Sequence, residues 1–514
     1  MEKQTVPEDA ASEIAVLKSK IAELESLVKF YEEQFRLYKH RQFGASSEKS
    51  EYDSEQLNLF NEAEASADAN VSEPQLVEIE KHYRRRKRLV NDSLPDTLPV
   101  EVVEHDLPLE EQVCPECGGA LHVIGKEKRR ELKVIPAKAI IVEHVRKVYG
   151  CRDCEQDEYG APIIKAPVDN PVIKGSFASP EAIAHIMTQK FVMGVPLYRQ
   201  EKEWNRAGIM LSRQTMSNWL LRAAEDWLEP IYNVLHEMLC QCRQVLHADE
   251  TTLQVLREPD KAPQSKSYMW LYRTSGDVKT ALVLYEYQPD RRKERPKEFL
   301  KDFKGFLHTD GYEAYHSLPD NVVIVGCWAH VRRKFDEALK SADKNDLSSP
   351  NIVRGKRYCD RLFALERDFA ALSPEERFKQ RQKLSKPLVD EFFTWLDTLN
   401  PLPKSPLGIA AHYALGQRKY LEHYLLDGRL EISNNRAERS IKPFVIDRKN
   451  FLFANTPKGA KASAVMFSLI ETAKENGLDP FDYLTYVFKN APNWDIRNDI
   501  NRLCFLIPST EKFY

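Results

Sequence analysis

A multidomain protein with an α/β core is predicted from three features: a heptad seam near the start, two Cys-x-x-Cys pairs, and a central third whose apolar pattern switches to strand period. At 514 residues the chain exceeds what one hydrophobic core usually organises. It is 42% hydrophobic and 30% charged with a net charge of −3, so any attraction to nucleic acid must come from local basic clusters. No apolar run approaches the roughly 18 residues that a membrane span requires. The opening MEKQTVPEDAASEIAVLKSK lacks the apolar core of a secretory signal, which predicts a cytoplasmic protein.

Residues 1–45 read as a coiled-coil zipper, because Ile14, Leu17, Ile21, Leu24, Val28, Tyr31, Phe35 and Tyr38 recur at alternating three- and four-residue steps. So narrow a stripe calls for a second helix, although a lone amphipathic helix packed on its own protein has the same pattern. Residues 46–100 form a polar, solvated linker that includes the basic run Lys81, His82, Tyr83, Arg84, Arg85, Arg86, Lys87 and Arg88. That run is dense enough to hold phosphates; a solvated charge run is the competing reading. Residues 101–170 are assigned to a zinc-binding domain. Nine cysteines are an odd number, and in a reducing compartment the pairs Cys114, Cys117 and Cys151, Cys154 point to metal rather than disulfides. Joined by a segment of strand-like alternation, AIIVEHVRKVYGC, they can place four thiolates tetrahedrally around one structural Zn²⁺, as in a zinc ribbon.

Residues 171–240 are helical, with breaks at Gly194-Val195-Pro196 and near Gly208. Ser212 is placed to cap a helix with Thr215, Met216, Trp219 and Leu220 on its apolar face. Arg213, Gln214, Asn218 and Arg222 lie elsewhere on it, as in a DNA-binding helix-turn-helix, though three helices packed for their own sake look similar. Within 241–330 the period becomes that of strands: QVLHADETTLQVL, SYMWLYRT, VKTALVLYEY, GFLHTDG and NVVIVGCW, with RPKEFLKDF as a helix after the third. Three strands, a helix, a strand, a helix and a strand is the order of an RNase H-like sheet. Residues 331–430 are a helical insertion, 431–476 return to the core with a helical segment around Asn434 to Lys442, and 477–514 form a C-terminal helical element.

Asp249 and Asp310 each follow an apolar strand in a His-x-Asp context, where carboxylates can share hard cations for phosphoryl transfer. A third carboxylate is then wanted from a helix beside the sheet, and Glu438 in ISNNRAERSIKP is the candidate. Its spacing from Asn435 also suits a capping box, in which it would only bond a backbone N–H.

The ordered motifs HADET, HTDGYEAY, CWAHVRRKF and LEISNNRAERSIKPFVIDRKNFLFANTPKGAKASA, with RQFGASSEKS after the zipper and CPECGGAL opening the zinc segment, closely resemble transposases of the insertion sequence 66 family. The resemblance runs along nearly the whole chain and is weakest in the polar linker. It implies an RNase H-like catalytic core interrupted by a helical insertion, with Asp249, Asp310 and Glu438 at the family's DDE positions binding Mg²⁺ (or Mn²⁺). It further implies cleavage of the element's terminal inverted repeats to expose 3′ hydroxyls that attack target DNA, a homo-oligomer in the bacterial nucleoid, and accessory proteins from the same element. Cys327-Trp-Ala-His330 matches a pattern close to the acids in several DDE families, so His330 either contacts DNA or orients a catalytic water, or else is a satisfied core residue beside a buried Cys327. Arg332, Arg333, Arg436, Arg439 and Lys442 suit phosphate contacts, or a solvated helix face. Two other functions share these features: a nuclease or resolvase that cuts without joining, and a DNA-binding regulator with an inactive core.

Overall fold

The computed structural model describes residues 139–149, 164–242, 244–341 and 350–509. The zipper seam, the linker with its basic run, and Cys114, Cys117, Cys151 and Cys154 lie outside the described residues. The chain divides into two units, residues 46–166 and the remainder. In the first, an antiparallel pair joins β1 (Val148–Tyr149) to β2 (Ile164–Lys165). The alternation in AIIVEHVRKVYGC therefore yields a strand, among the described residues, only at Val148–Tyr149; the residues from 139 to 149 are all exposed and bury no face that would extend it.

Among its described residues the second unit begins with helices α1 (Pro180–Phe191), α2 (Leu197–Arg206) and α3 (Arg213–Ala223). Ser212 caps α3 as expected, its hydroxyl accepting from the N–H of Thr215, while Met216, Trp219 and Leu220 are buried. Between α2 and α3 the chain turns at Gly208, whose φ of +79° is costly for any residue with a Cβ. A π-turn at Ala224–Leu228 leads into α4 (Glu229–Cys242) and the sheet.

The expected strands form one sheet: β3 (Val245–Gln254), β4 (Lys266–Thr274), β5 (Val283–Gln288), β6 (Gly305–His308) and β7 (Val322–Val325), with α5 (Glu294–Phe299) after β5. Their order is β5-β4-β3-β6-β7; β3, β4 and β5 pair antiparallel, and β6 and β7 run parallel to β3. A correction concerns the link from β6 to β7, where a helix was expected and a short 3₁₀ turn, Tyr315–Ser317, is found. The loop begins with a turn at Asp310, whose carboxylate accepts from the N–H of Tyr312, and meets Pro319 before a full helix can grow.

The insertion comprises α6 (Trp328–Ser341), α7 (Pro350–Asp368), α8 (Pro374–Gln380), α9 (Lys386–Asp397), α10 (Pro406–Gly416) and α11 (Arg418–Glu422) around an aromatic core of Trp328, Phe335, Tyr358, Phe392, Phe393 and Trp395. Buried Arg381 pairs with Glu366 at 2.6 Å and donates to the carbonyls of Tyr424, Asp427 and Leu430, tying the insertion to the segment that returns to the sheet. That segment enters α12 (Asn435–Phe451), followed by α13 (Pro457–Glu475), α14 (Pro480–Asn490) and α15 (Ile500–Cys504). The helix expected to close near Lys442 continues through Pro443 to Phe451. Proline forfeits one backbone bond, to the carbonyl of Arg439 on an exposed turn that water can reach. No helix among the described residues is long and apolar enough to cross a membrane.

Edge strand β5 is closed by side chains of α13. The N–H groups of Val283 and Tyr285 donate to Thr472 Oγ1 at 3.0 Å and Ser468 Oγ at 2.7 Å, and Ala281 exchanges two bonds with the Asn476 amide. Buried hydroxyls of α13 thus replace the missing strand. Ser468→Ala is expected to leave the Tyr285 N–H unpaired and to cost about 1–3 kcal/mol in urea unfolding. An unchanged unfolding midpoint would remove this role.

Candidate active site

Strand register brings the two aspartates together. His247 pairs with His308 at the last rung between β3 and β6, and Asp249 and Asp310 each lie two residues further on. Asp249 does not end its strand, as the sequence suggested: β3 continues to Gln254 against β4, and it is β6 that leaves. The gap uncovers Asp249 beside the loop that carries Asp310. Asp310 is held by Tyr413 of α10, whose hydroxyl donates to its carbonyl at 2.9 Å. Gly311 follows at φ +91°, where a Cβ would also meet Gln417 at 2.9 Å.

Behind the aspartates His247 and His308 stack with ring centroids 4.3 Å apart. Asn434 Nδ2 donates to the Ala248 carbonyl at 2.8 Å, so its Oδ1, 3.0 Å from His247 Nδ1, must accept, and His247 carries its proton on Nδ1. Burial pushes the His247 pKa down to about 3. Burial also holds His308 well below the usual imidazole range, and its Nε2 accepts from the N–H of Glu431. Both rings are neutral, so neither cancels charge on the acids.

Asn434 is the N-cap of α12, yet its side chain makes no capping bond; it is spent on β3, while its N–H donates to Cys327 Sγ at 3.2 Å. Arg273 of β4 fastens the next turns, bonding Ser440 and pairing with Glu475 of α13 at 3.0 Å. Glu438, in the first turn of α12, is thereby held near enough to Asp249 for its charge to be felt there. Its carboxylate lies 3.4 Å from Arg333 and 3.8 Å from His330 Nε2 rather than closing a capping box. Glu431, seven residues earlier, is bound by Arg436 at 2.6 Å on the histidine side. Burial, then repulsion from Glu250, Asp310 and Glu438, raises the Asp249 pKa well above the ordinary carboxylate range.

Sequence reasoning passed over Glu250, Arg291 and Tyr315. Glu250 is buried next to Asp249, accepts from Arg291 Nε at 2.9 Å and from the Tyr315 hydroxyl at 2.6 Å, and Arg291 stacks 3.5 Å from the ring centre of Tyr312. This clamp binds β3 to the Asp310 loop. The one available signal was the acid after Asp249 in HADET together with the tyrosines of DGYEAY.

Of the candidate DNA contacts, Gln214, Asn218 and Arg222 are exposed at four-residue steps along α3, with Arg213 beside them. Arg439 is exposed and Lys442 half-buried on α12, whereas Arg332 pairs with Asp360 at 2.6 Å and Arg436 with Glu431. His330 is mostly buried at the start of α6.

Comparison with known proteins decides the family. A family profile described as "Transposase IS66 family" matches residues 175–462, more than half of the chain. The chain belongs to the IS66 transposase family. Further IS66 profiles match a zinc-finger binding domain at 111–155, a segment described as "Transposase C of IS166 homeodomain" at 31–103, and the IS66 C-terminal element at 468–508. Three uncharacterized proteins of Sinorhizobium fredii are similar. The protein y4qI is 30% identical over 411 residues, spanning 77% of this chain and 72% of its own. For y4jD the identity is 31% over 428 residues, spanning 80% and 81%, and for y4hP it is 30% over 444 residues, spanning 82% and 77%. Membership of the family makes this chain a DNA-binding transposase that carries a zinc-finger domain.

Proposed function

We propose that the chain cleaves the ends of its insertion sequence to expose 3′ hydroxyls and joins them to target DNA, using Asp249, Asp310 and Glu438 on an RNase H-like core. What supports this reading is that Asp310, on the loop after β6, and Glu438, in the first turn of α12, both lie near enough to half-buried Asp249 of the mid-sheet strand for their charges to raise its pKa. The strand order 3-2-1-4-5, antiparallel then parallel, supports the core assignment. Arg291 and Arg333 pair with Glu250 and Glu438, but Asp249 and Asp310 form no ion pair among the described residues, which fits Mg²⁺ or Mn²⁺ as the charge between them. Bound there, such ions would activate the attacking oxygen and stabilise the leaving one.

The chain's own groups do the positioning. Asn434 sets the depth of α12, the Glu250–Arg291–Tyr315 clamp holds the Asp310 loop, and Arg439 and Lys442 offer cations to the DNA backbone beside Glu438. The stripe Gln214, Asn218 and Arg222 with Arg213 is assigned to the terminal repeats, and the basic run Arg84–Arg88 to phosphates. One structural Zn²⁺ is assigned to Cys114, Cys117, Cys151 and Cys154, and a homo-oligomer to the zipper seam. Incubating the full chain with its flanking repeats and Mg²⁺ should give nicks at the element's 3′ ends and then joined products. Cleavage without joining would leave a nuclease; no cleavage at all would overturn the reading.

A further inference from the structure

Cys327, His330 and Glu438 each place one donor atom within 4.8 Å of the others. The grouping is built by two helix starts. Cys327 follows β7 and His330 lies three residues on, so both fall on the same side of the first turn of α6. The N–H of Trp328 donates to the Ile432 carbonyl at 3.0 Å, drawing that turn against the entry to α12 and Glu438. Arg333 Nη1 lies 3.3 Å from His330 Nε2, and because a guanidinium only donates, Nε2 is an acceptor whose lone pair Arg333 holds in the metal-free state. Glu438 Oε1 is buried with no hydrogen-bond partner among the described residues. A thiol, an imidazole and an unpaired carboxylate oxygen thus stand together, with one guanidinium over the imidazole and the carboxylate.

We infer that this trio binds a borderline divalent metal, of which zinc is the physiological example, and that binding withdraws Glu438 from the aspartate pair. The donor set decides the class: Mg²⁺ takes oxygen ligands, whereas thiolate with imidazole and one carboxylate suits zinc with its fourth position open. Metal–ligand bonds of about 2.0–2.3 Å set donors at tetrahedral corners closer than those here, so the side chains must close by about 1 Å. Binding expels the thiol proton to solvent. Arg333, 41% exposed, covers both the carboxylate, at 3.4 Å, and the imidazole nitrogen, at 3.3 Å, in the metal-free state and must swing out into solvent when the metal binds. The inhibitory consequence rests on the proposed use of Glu438 in cleavage; the binding itself does not.

Cobalt(II) titrated into the purified full chain reads the thiolate directly, through its charge-transfer absorption. Wild type is expected to bind about one Co²⁺ per chain more than Cys327→Ala or His330→Gln; the zinc-finger cysteines contribute equally to all three. Equal absorption and stoichiometry in wild type and both variants, each checked by its melting curve, overturns the site. In Mg²⁺-dependent cleavage, micromolar zinc should slow wild type at least tenfold and His330→Gln, measured against its own zinc-free rate, by less than twofold. A cobalt difference without selective zinc inhibition refutes the withdrawal of Glu438. If Mg²⁺ supports no cleavage in any protein, the cleavage reading fails while the cobalt difference still decides the metal site.

Discussion

Glu438→Gln is expected to lower Mg²⁺-dependent cleavage and joining by on the order of a hundredfold or more, with DNA affinity retained. Glutamine is isosteric and its carbonyl can still accept from Arg333, now 3.4 Å from the carboxylate, so the fold has little to lose. What it lacks is the charge that a hard cation requires. Glu431→Gln is the matched control. That residue faces Arg436 at 2.6 Å and the stacked histidines, so its loss weakens a half-exposed ion pair worth about 1 kcal/mol at most and leaves cleavage within a few-fold of wild type. Gel assays of both steps, with filter binding for affinity, make the comparison. Near-normal chemistry in Glu438→Gln together with loss in Glu431→Gln would move the third acid to the other carboxylate.

Asp249→Asn should abolish cleavage to a similar degree and at the same time raise the melting temperature of the metal-free protein. The two effects share one cause. Burial and three neighbouring carboxylates lift the Asp249 pKa well above its unfolded value near 4, so the folded state binds the proton more tightly than the unfolded state. The sign is therefore opposite to that of a salt-bridged acid. Above the raised pKa the full penalty of a buried charge is present, and as pH falls through that value toward about 4 the penalty is relieved. Asparagine never bears it. The variant should melt higher than wild type at pH 8, by up to about 2 °C for each kcal/mol relieved given the large unfolding entropy of so long a chain, and the gap should close on acidification. Mg²⁺ should stabilise wild type at pH 8 and the variant much less. A lower melting temperature for Asp249→Asn at pH 8, with an equal response to Mg²⁺, would show that Asp249 carries no such strain.

How much of this was legible depended on the range of the interactions. The strands of the sheet could be read because each carries a run of β-branched and aromatic residues between turn signals. The cap at Ser212 could be read because its bond to the N–H of Thr215 spans three residues. The acids were singled out by their strand-edge and helix-start contexts, and the family by long motifs. These are local patterns, and local sequence determines them.

Only the tertiary structure decided what those residues meet. Asn434 looks like a helix cap, but its side chain is taken by Ala248 and His247, 186 and 187 positions earlier. Glu431 and Glu438 are both acids on one short segment, and they part company because Arg436 claims the first while α12 sets the second beside Arg333 and His330, within electrostatic reach of Asp249. Glu250 resembles any strand glutamate until Arg291 and Tyr315 close on it, and the hydroxyls of Ser468 and Thr472 look misplaced until β5 lies beside them. Composition and period report which face of an element is buried. They carry no information about which distant polar group will share that burial, and a buried polar group is stable only with its partner in place.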